Sequence, residues 1–333
     1  MITITHEDLA YWLDTLSQEQ TLIAPTEVAD ILYYRPVTNS ADIVWKYIRP
    51  VMSIKDAFFP STERLLSIEK QGQHIKLSEF TPENKQILFG VRPCDARGLL
   101  ALDALFIDTE PTDIYYAQRR ENTTIIGFAC TEMADTCFCT STGGAPDDPT
   151  GMDAMVYQED DGFHVRVFTE KGKKIFKGLA EINLEEYAYT HHFSNQVYPI
   201  MEKDSWPAYF NDNFWAEMSE RCLSCRICAY VCPTCRCFDV RDEHIHDSNG
   251  NNQFERIRCW DSCAGTVYRR IAGGHNPREA KGDRMRNRFF CKFYYYPEQY
   301  GPLACTGCGR CIDACPVNID ITEVLQHLQE VNS

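Results

Sequence analysis

The first two-thirds of the chain alternates between short apolar runs and segments with helical spacing. HEDLAYWLDTL (6–16) places Leu9, Leu13 and Leu16 at i, i+4 and i+7, which predicts a helix with one buried face. ILYYRPV (31–37) reads as a short strand. QILFGV (86–91) reads as a strand that runs into the turn RPCD and then a helix, ARGLLALDALF (96–106). TTIIGFAC (123–130) is a second buried strand, rich in β-branched and apolar residues. AMVYQEDDGFHVRVFT (154–169) alternates on both sides of an acidic DDG turn and predicts a hairpin. Near the end, Ile321, Val324, Leu325 and Leu328 share one helix face. Around PAYFNDNFWAEMSERC (207–222) this pattern gives way to a cysteine- and turn-rich sequence, so a boundary is expected between 205 and 215. The expected fold is α+β: a mixed α/β domain over residues 1–210, then a smaller domain over residues 211–333.

Composition changes the picture in one respect. Apolar content (44%) and charged content (24%) are those of an ordinary soluble protein, but 17 cysteines are far too many. The opening MITITHEDLAYW has acidic residues and no apolar segment suited to a signal peptide, and no run approaches a membrane span. The expectation is a cytoplasmic protein whose thiolates serve as metal ligands, and not a disulfide framework. A net charge of −15 argues against nucleic acid as a partner. Between Arg256 and Lys292, however, ten Lys/Arg face three Asp/Glu. That segment reads either as a solvated face, or as one that lies over anionic clusters or docks an acidic partner.

Cys222, Cys225, Cys228 and Cys232-Pro233 follow C-x2-C-x2-C-x3-C-P, and Cys305, Cys308, Cys311 and Cys315-Pro316 repeat it. Three thiolates at this spacing let a tight loop wrap one face of a cubane. The fourth comes too late for the same cube and in two-cluster ferredoxins ligates the other one. The expected ligation is therefore crossed: Cys222, Cys225, Cys228 and Cys315 on one [4Fe–4S] cluster, Cys305, Cys308, Cys311 and Cys232 on its neighbour. The arrangement resembles a helical two-cluster domain, so residues 211–333 are expected to be ferredoxin-like. Structural zinc prefers two separated C-x2-C pairs, and CPTC (232–235) lacks the strand that precedes a thioredoxin-type motif.

A second constellation lies upstream. Cys94 follows the strand 86–91 and Cys130 ends the strand 123–129. The carboxyl ends of adjacent parallel strands share a crevice where ligands bind. The loop carrying Cys137 and Cys139 could fold back over it. These four cysteines suggest a third metal site, for which an iron–sulfur cluster, a zinc ion and inert core packing are the alternatives. Cys235, Cys237 and Cys263 are candidates for tuning a nearby cluster, and Cys259 and Cys291 for packing. His191-His192 and His244/His246 have no partnered nucleophile or zinc signature, and no G-x-G-x-x-G or P-loop is present.

GVRPCDARGL (90–99), CFCTSTG (137–143), CPTCRCFDV (232–240), WDSCAGTVYRRIAGGHNPR (260–278) and CTGCGRCIDACPVNIDI (305–321) together resemble a family. It comprises the iron–sulfur β subunits of cytoplasmic NiFe sulfhydrogenases and the A subunits of anaerobic sulfite reductases, with similar subunits in heterodisulfide-reductase-linked flavin oxidoreductases. The resemblance spans residues 45 to 320. It implies a relay between a partner with FAD and a [2Fe–2S] cluster, which exchanges electrons with NAD(P)H, and a catalytic subunit. It also implies that Cys94, Cys130, Cys137 and Cys139 belong to a functional site. Two other functions compete with the relay: a redox enzyme working at that upstream site, and an iron–sulfur sensor.

Overall fold

A computed structural model of the chain describes residues 1–159, 162–179, 189, 193, 196–246 and 252–330. Eleven strands form two sheets among these residues. They are β1 (Ile2–Ile4), β2 (Thr21–Val28), β3 (Ile31–Val37), β4 (Thr62–Gln71), β5 (His74–Glu79), β6 (Gln86–Val91), β7 (Thr123–Phe128), β8 (Ala154–Glu159), β9 (Gly162–Val167), β10 (Phe238–His246) and β11 (Asn252–Trp260).

The larger sheet runs β1-β9-β8-β7-β6-β2-β3. Its middle is parallel (β8, β7, β6, β2) and its rims are antiparallel. Successive residues in a strand point to opposite faces, and here both faces are covered. Ile87, Phe89, Ile126, Phe128 and Val156 pack with Leu9 and Leu13 of the helix His6–Glu19. Leu88, Val91, Ile125 and Met155 pack with Leu99 and Leu102 of the helix Pro93–Phe106. Each such side chain contributes about 1.5–3 kcal/mol by burial. Thr5 caps the first helix, its hydroxyl accepting the Asp8 N–H at 3.1 Å. The expected hairpin is present as β8 and β9, paired from Ala154↔Val167 to Glu159↔Gly162. Asp160 and Asp161 of its turn lie outside the described residues.

A third core holds the C-terminal part together. Trp215, Met285, Phe289, Phe290, Val324, Leu325 and Leu328 bring the helices Phe214–Glu220, Lys281–Phe290 and Ile321–Glu330 against one another. Trp206 stacks on Phe293 at 5.3 Å. The helix Lys281–Phe290 continues into a π turn, Cys291–Tyr295. No described helix is long and apolar enough to cross a membrane.

The smaller sheet, β10-β11-β4-β5, is antiparallel throughout and draws strands from both sides of residue 210. Neither of its hairpins was legible as strand. β10 is mostly exposed and carries Asp, Arg and Glu where a half-buried strand would show apolar alternation. Cross-strand ion pairs accompany the ladder instead, Arg256 with Asp242 (2.7 Å) and Arg64 with Glu255 (2.6 Å). Arg258 is the exception. It is buried, donates to Glu63 at 2.7 Å and also pairs with Asp113.

Candidate iron–sulfur centres

The two cysteine motifs fold into the same loop. Each needs left-handed backbone at the second and fourth residues after its first cysteine. In Cys222–Cys228 these are Ser224 (φ 54°) and Arg226 (φ 70°), and in Cys305–Cys311 they are Gly307 (φ 63°) and Gly309 (φ 74°). A non-glycine residue pays for this conformation, so glycine in the second loop needs a reason. The reason is contact. A Cβ on Gly307 would lie 2.4 Å from the Phe138 carbonyl oxygen, and one on Gly309 would lie 2.4 Å from that of Thr136. The Phe138 N–H donates to the Gly307 carbonyl at 2.8 Å. The second motif is thus pressed against the Cys137–Cys139 loop, whereas the first is open to solvent and exposes Cys225.

The thiols line three cavities. Cys222, Cys225, Cys228 and Cys315 line the first, with Cys311 on its wall. Cys232, Cys305, Cys308 and Cys311 line the second. Cys94, Cys130, Cys137 and Cys139 line the third, again with Cys308 on its wall. The cysteines grouped by sequence spacing therefore face common spaces, and each cavity shares a cysteine with the next.

The third cavity sits at the carboxyl ends of β6 and β7, which are adjacent and parallel. Cys94 lies in the first turn of the helix Pro93–Phe106, and the Cys130 N–H donates to the Pro146 carbonyl at 2.9 Å. Arg49 reaches in from a preceding loop, donating to Cys137 Sγ and to Thr136 Oγ1, each at 2.8 Å. Arg92 is buried and donates to the carbonyls of Ile48 and Ala129 at 2.8 Å. Beside Cys94, Asp95 makes a bidentate pair with Arg310 of the second motif at 2.5 and 2.7 Å, both side chains buried. That pair fastens the helix Pro93–Phe106 to the second motif. Sequence reasoning missed Arg49, Arg92 and Arg310, because long charged side chains ordinarily sit at the surface.

Burial governs the electrostatics. It pushes the thiols of Cys94, Cys130 and Cys228 up, Cys305 to about 11, and Cys139 and Cys311 to about 12. Cys232 departs from this: a hydrogen bond with Cys235, and Lys292 and Arg288 nearby, hold it well below the usual thiol range. Buried thiolates persist where iron replaces the proton.

Whether a [4Fe–4S] cluster fits can be judged from polar atoms facing the cavities. Arg288 Nη1 and Arg284 Nε beside the first cavity, and Thr306 Oγ1 beside the second, are buried without a hydrogen-bond partner. Donors left so are costly unless an acceptor occupies the cavity, and cluster and thiolate sulfurs are such acceptors. Among the described residues no three His, Cys, Asp or Glu are grouped to hold one metal ion. The residues around the first and second cavities fit the cluster.

Of the remaining cysteines, Cys235 lies 3.8 Å from Lys292 Nζ, and Cys291 accepts from Arg236 at 3.4 Å. Cys237 and Cys263 touch, and a hydrogen bond with Cys263, helped by Tyr268 and two arginines, lowers Cys237 to about 6. Cys259 lies in β11 opposite Asp239, and His244 in β10 opposite Phe254. His191 and His192 lie outside the described residues. The basic run is divided: Arg258, Arg284, Arg288 and Lys292 are buried, while Arg269, Arg270 and Lys281 face solvent.

A 4Fe-4S dicluster domain family matches residues 221–319. The chain is also 32% identical to the Sulfhydrogenase 2 subunit beta of Pyrococcus furiosus over 312 residues, covering 89% of each chain. No solved structure matches. Fold, cavities and matches define the class: an iron–sulfur electron-transfer protein with [4Fe–4S] clusters and an α+β fold. Within that class, the chain belongs to the sulfhydrogenase β-subunit family.

Proposed function

We propose that the chain is the relay subunit of a multi-subunit oxidoreductase. It passes single electrons between an FAD- and [2Fe–2S]-bearing partner, which exchanges with NAD(P)H, and a catalytic subunit of hydrogenase type. The sulfhydrogenase relative favours that terminal subunit over one for sulfite or heterodisulfide. The proposed ligands are Cys222, Cys225, Cys228 and Cys315 for one [4Fe–4S] cluster, Cys232, Cys305, Cys308 and Cys311 for the next, and Cys94, Cys130, Cys137 and Cys139 for a third. Bound there, the clusters supply reversible one-electron chemistry.

The observation that carries the reading is the shared walls: Cys311 borders the first and second cavities, and Cys308 the second and third. Sites joined in series by single residues suit a wire, with its exposed end at Cys225. The chain's own residues insulate it. Phe138, Ile321 and Pro233 pack around the second cavity, and the Asp95–Arg310 pair holds the third against it. The two-part organisation, 1–210 and 211–333, and a cytoplasmic location complete the proposal.

Native isolation from anaerobically grown cells tests it. A flavin-containing subunit and a metal-bearing catalytic subunit are expected to co-purify with the chain. A chain that is fully loaded with iron yet isolated alone, with no flavoprotein, overturns the relay and favours a sensor.

A further inference from the structure

Two buried cations sit between the first and second cavities, four residues apart on one continuous helical segment. Arg288 lies in the helix Lys281–Phe290 and lines the first cavity. Lys292 lies in the π turn Cys291–Tyr295 and lines the second. A π turn interrupts regular helix and often marks a functional site. Its effect here is to carry a lysine inward: Lys292 is 4% exposed. The ammonium has three protons, and each has a partner. It donates to Ala304 O at 2.9 Å, to Cys232 Sγ at 3.2 Å and to Thr234 Oγ1 at 3.3 Å, with Cys235 Sγ a longer acceptor at 3.8 Å. Thr234 in turn donates to Ala304 O at 2.7 Å, which fixes the acceptor arrangement around the lysine. Leucine or methionine would fill such a place at lower desolvation cost, so a charge here needs an anionic partner. The partner in contact is Cys232 Sγ, the thiol that the crossed ligation gives to the second cavity.

We propose that Lys292 is a positioning residue that sets the reduction potential of the second-cavity cluster alone, so that the middle of the relay accepts electrons readily from either side. The inference rests on the ligation proposed above. Reduction adds one electron and one negative charge to the cluster. A fixed positive charge and an N–H donor at a ligand sulfur favour the reduced form, and both act within contact distance. Arg288 lines the first cavity but also lies near Cys232 and Cys311 of the second, so it supplies the comparison of a cation shared by both.

The test is a potentiometric titration of the whole chain with dithionite, followed by EPR, on wild type, Lys292→Met, Lys292→Gln and Lys292→Arg. In Lys292→Met and Lys292→Gln, one cluster is expected to titrate at lower potential. At its wild-type midpoint the reduced-to-oxidised ratio falls about tenfold, equivalent to about 59 mV for one electron. The other clusters stay in place, and Lys292→Arg restores the wild-type midpoint. Arg288→Gln is expected to move the first-cavity cluster, which Lys292→Gln leaves in place, and to move the second-cavity cluster as well, since Arg288 also lies near Cys232 and Cys311. Unchanged midpoints in Lys292→Gln at full iron content overturn the inference and leave the relay standing. So does an equal shift in Lys292→Arg, which assigns the effect to packing. A wild-type chain without two [4Fe–4S] signals overturns both.

Discussion

Replacing Cys315 with serine is expected to abolish the cluster of the first cavity and leave that of the second, with about four irons lost per chain. Cys315 lies in the second motif by sequence, yet it lines a cavity with Cys222, Cys225 and Cys228. Cys232 lies in the first motif and lines a cavity with Cys305, Cys308 and Cys311. EPR on the reduced chain separates the possibilities. Under crossed ligation, Cys315→Ser loses the same signal as Cys222→Ser, and Cys232→Ser the same signal as Cys305→Ser. If each motif served its own cluster, Cys315→Ser would instead match Cys305→Ser. The stability cost is also asymmetric. Cys232 is buried and hydrogen-bonded to Lys292, so its loss leaves a buried cation with only the more distant Cys235 sulfur as acceptor. Cys315 is only half-buried.

The second large effect is expected from Gly307→Ala. The left-handed backbone at this position costs a non-glycine residue about 1–2 kcal/mol. The new methyl group also meets three backbone atoms at 2.4 to 2.6 Å, Phe138 O, Phe138 C and Cys139 N. Backbone cannot rotate away as a flexible side chain can, so the 136–139 loop must lift from the second motif, at a further cost of about 1–3 kcal/mol. The Phe138–Gly307 hydrogen bond is lost with it. Iron at the third cavity is expected to fall, with a lower Tm in thermal unfolding followed by circular dichroism. Ser224→Gly, at the equivalent place in the exposed loop, relieves a strained residue (φ 54°) and is expected to leave iron content unchanged. Wild-type Tm and iron content in Gly307→Ala would show that the contact between loop and motif does not hold the third site together.

The parallel centre of the large sheet was legible because β6 and β7 are nearly continuous apolar runs, which few other elements produce. Their carboxyl ends, and hence the meeting of Cys94 with Cys130, followed from the same reading. The landing of the Cys137–Cys139 loop on the second motif did not, since it depends on a tertiary contact. Its trace in the sequence is the pair of glycines in CTGCGRC where the first motif has Ser224 and Arg226. The smaller sheet was hidden because β10 is charged and exposed and finds its partner in β11, whose other neighbour is β4, nearly two hundred residues away in sequence. The buried cations were hidden for a related reason. Arg288 and Lys292 read as part of a basic run, and only packing distinguishes them from exposed Arg269 and Arg270.

The most direct test of a three-site wire is the iron and acid-labile sulfide content of anaerobically purified protein. The ligand sets described above predict about twelve of each per chain, four for every [4Fe–4S] cluster. About eight of each would contradict the third site, and fewer than about eight would contradict the paired clusters as well.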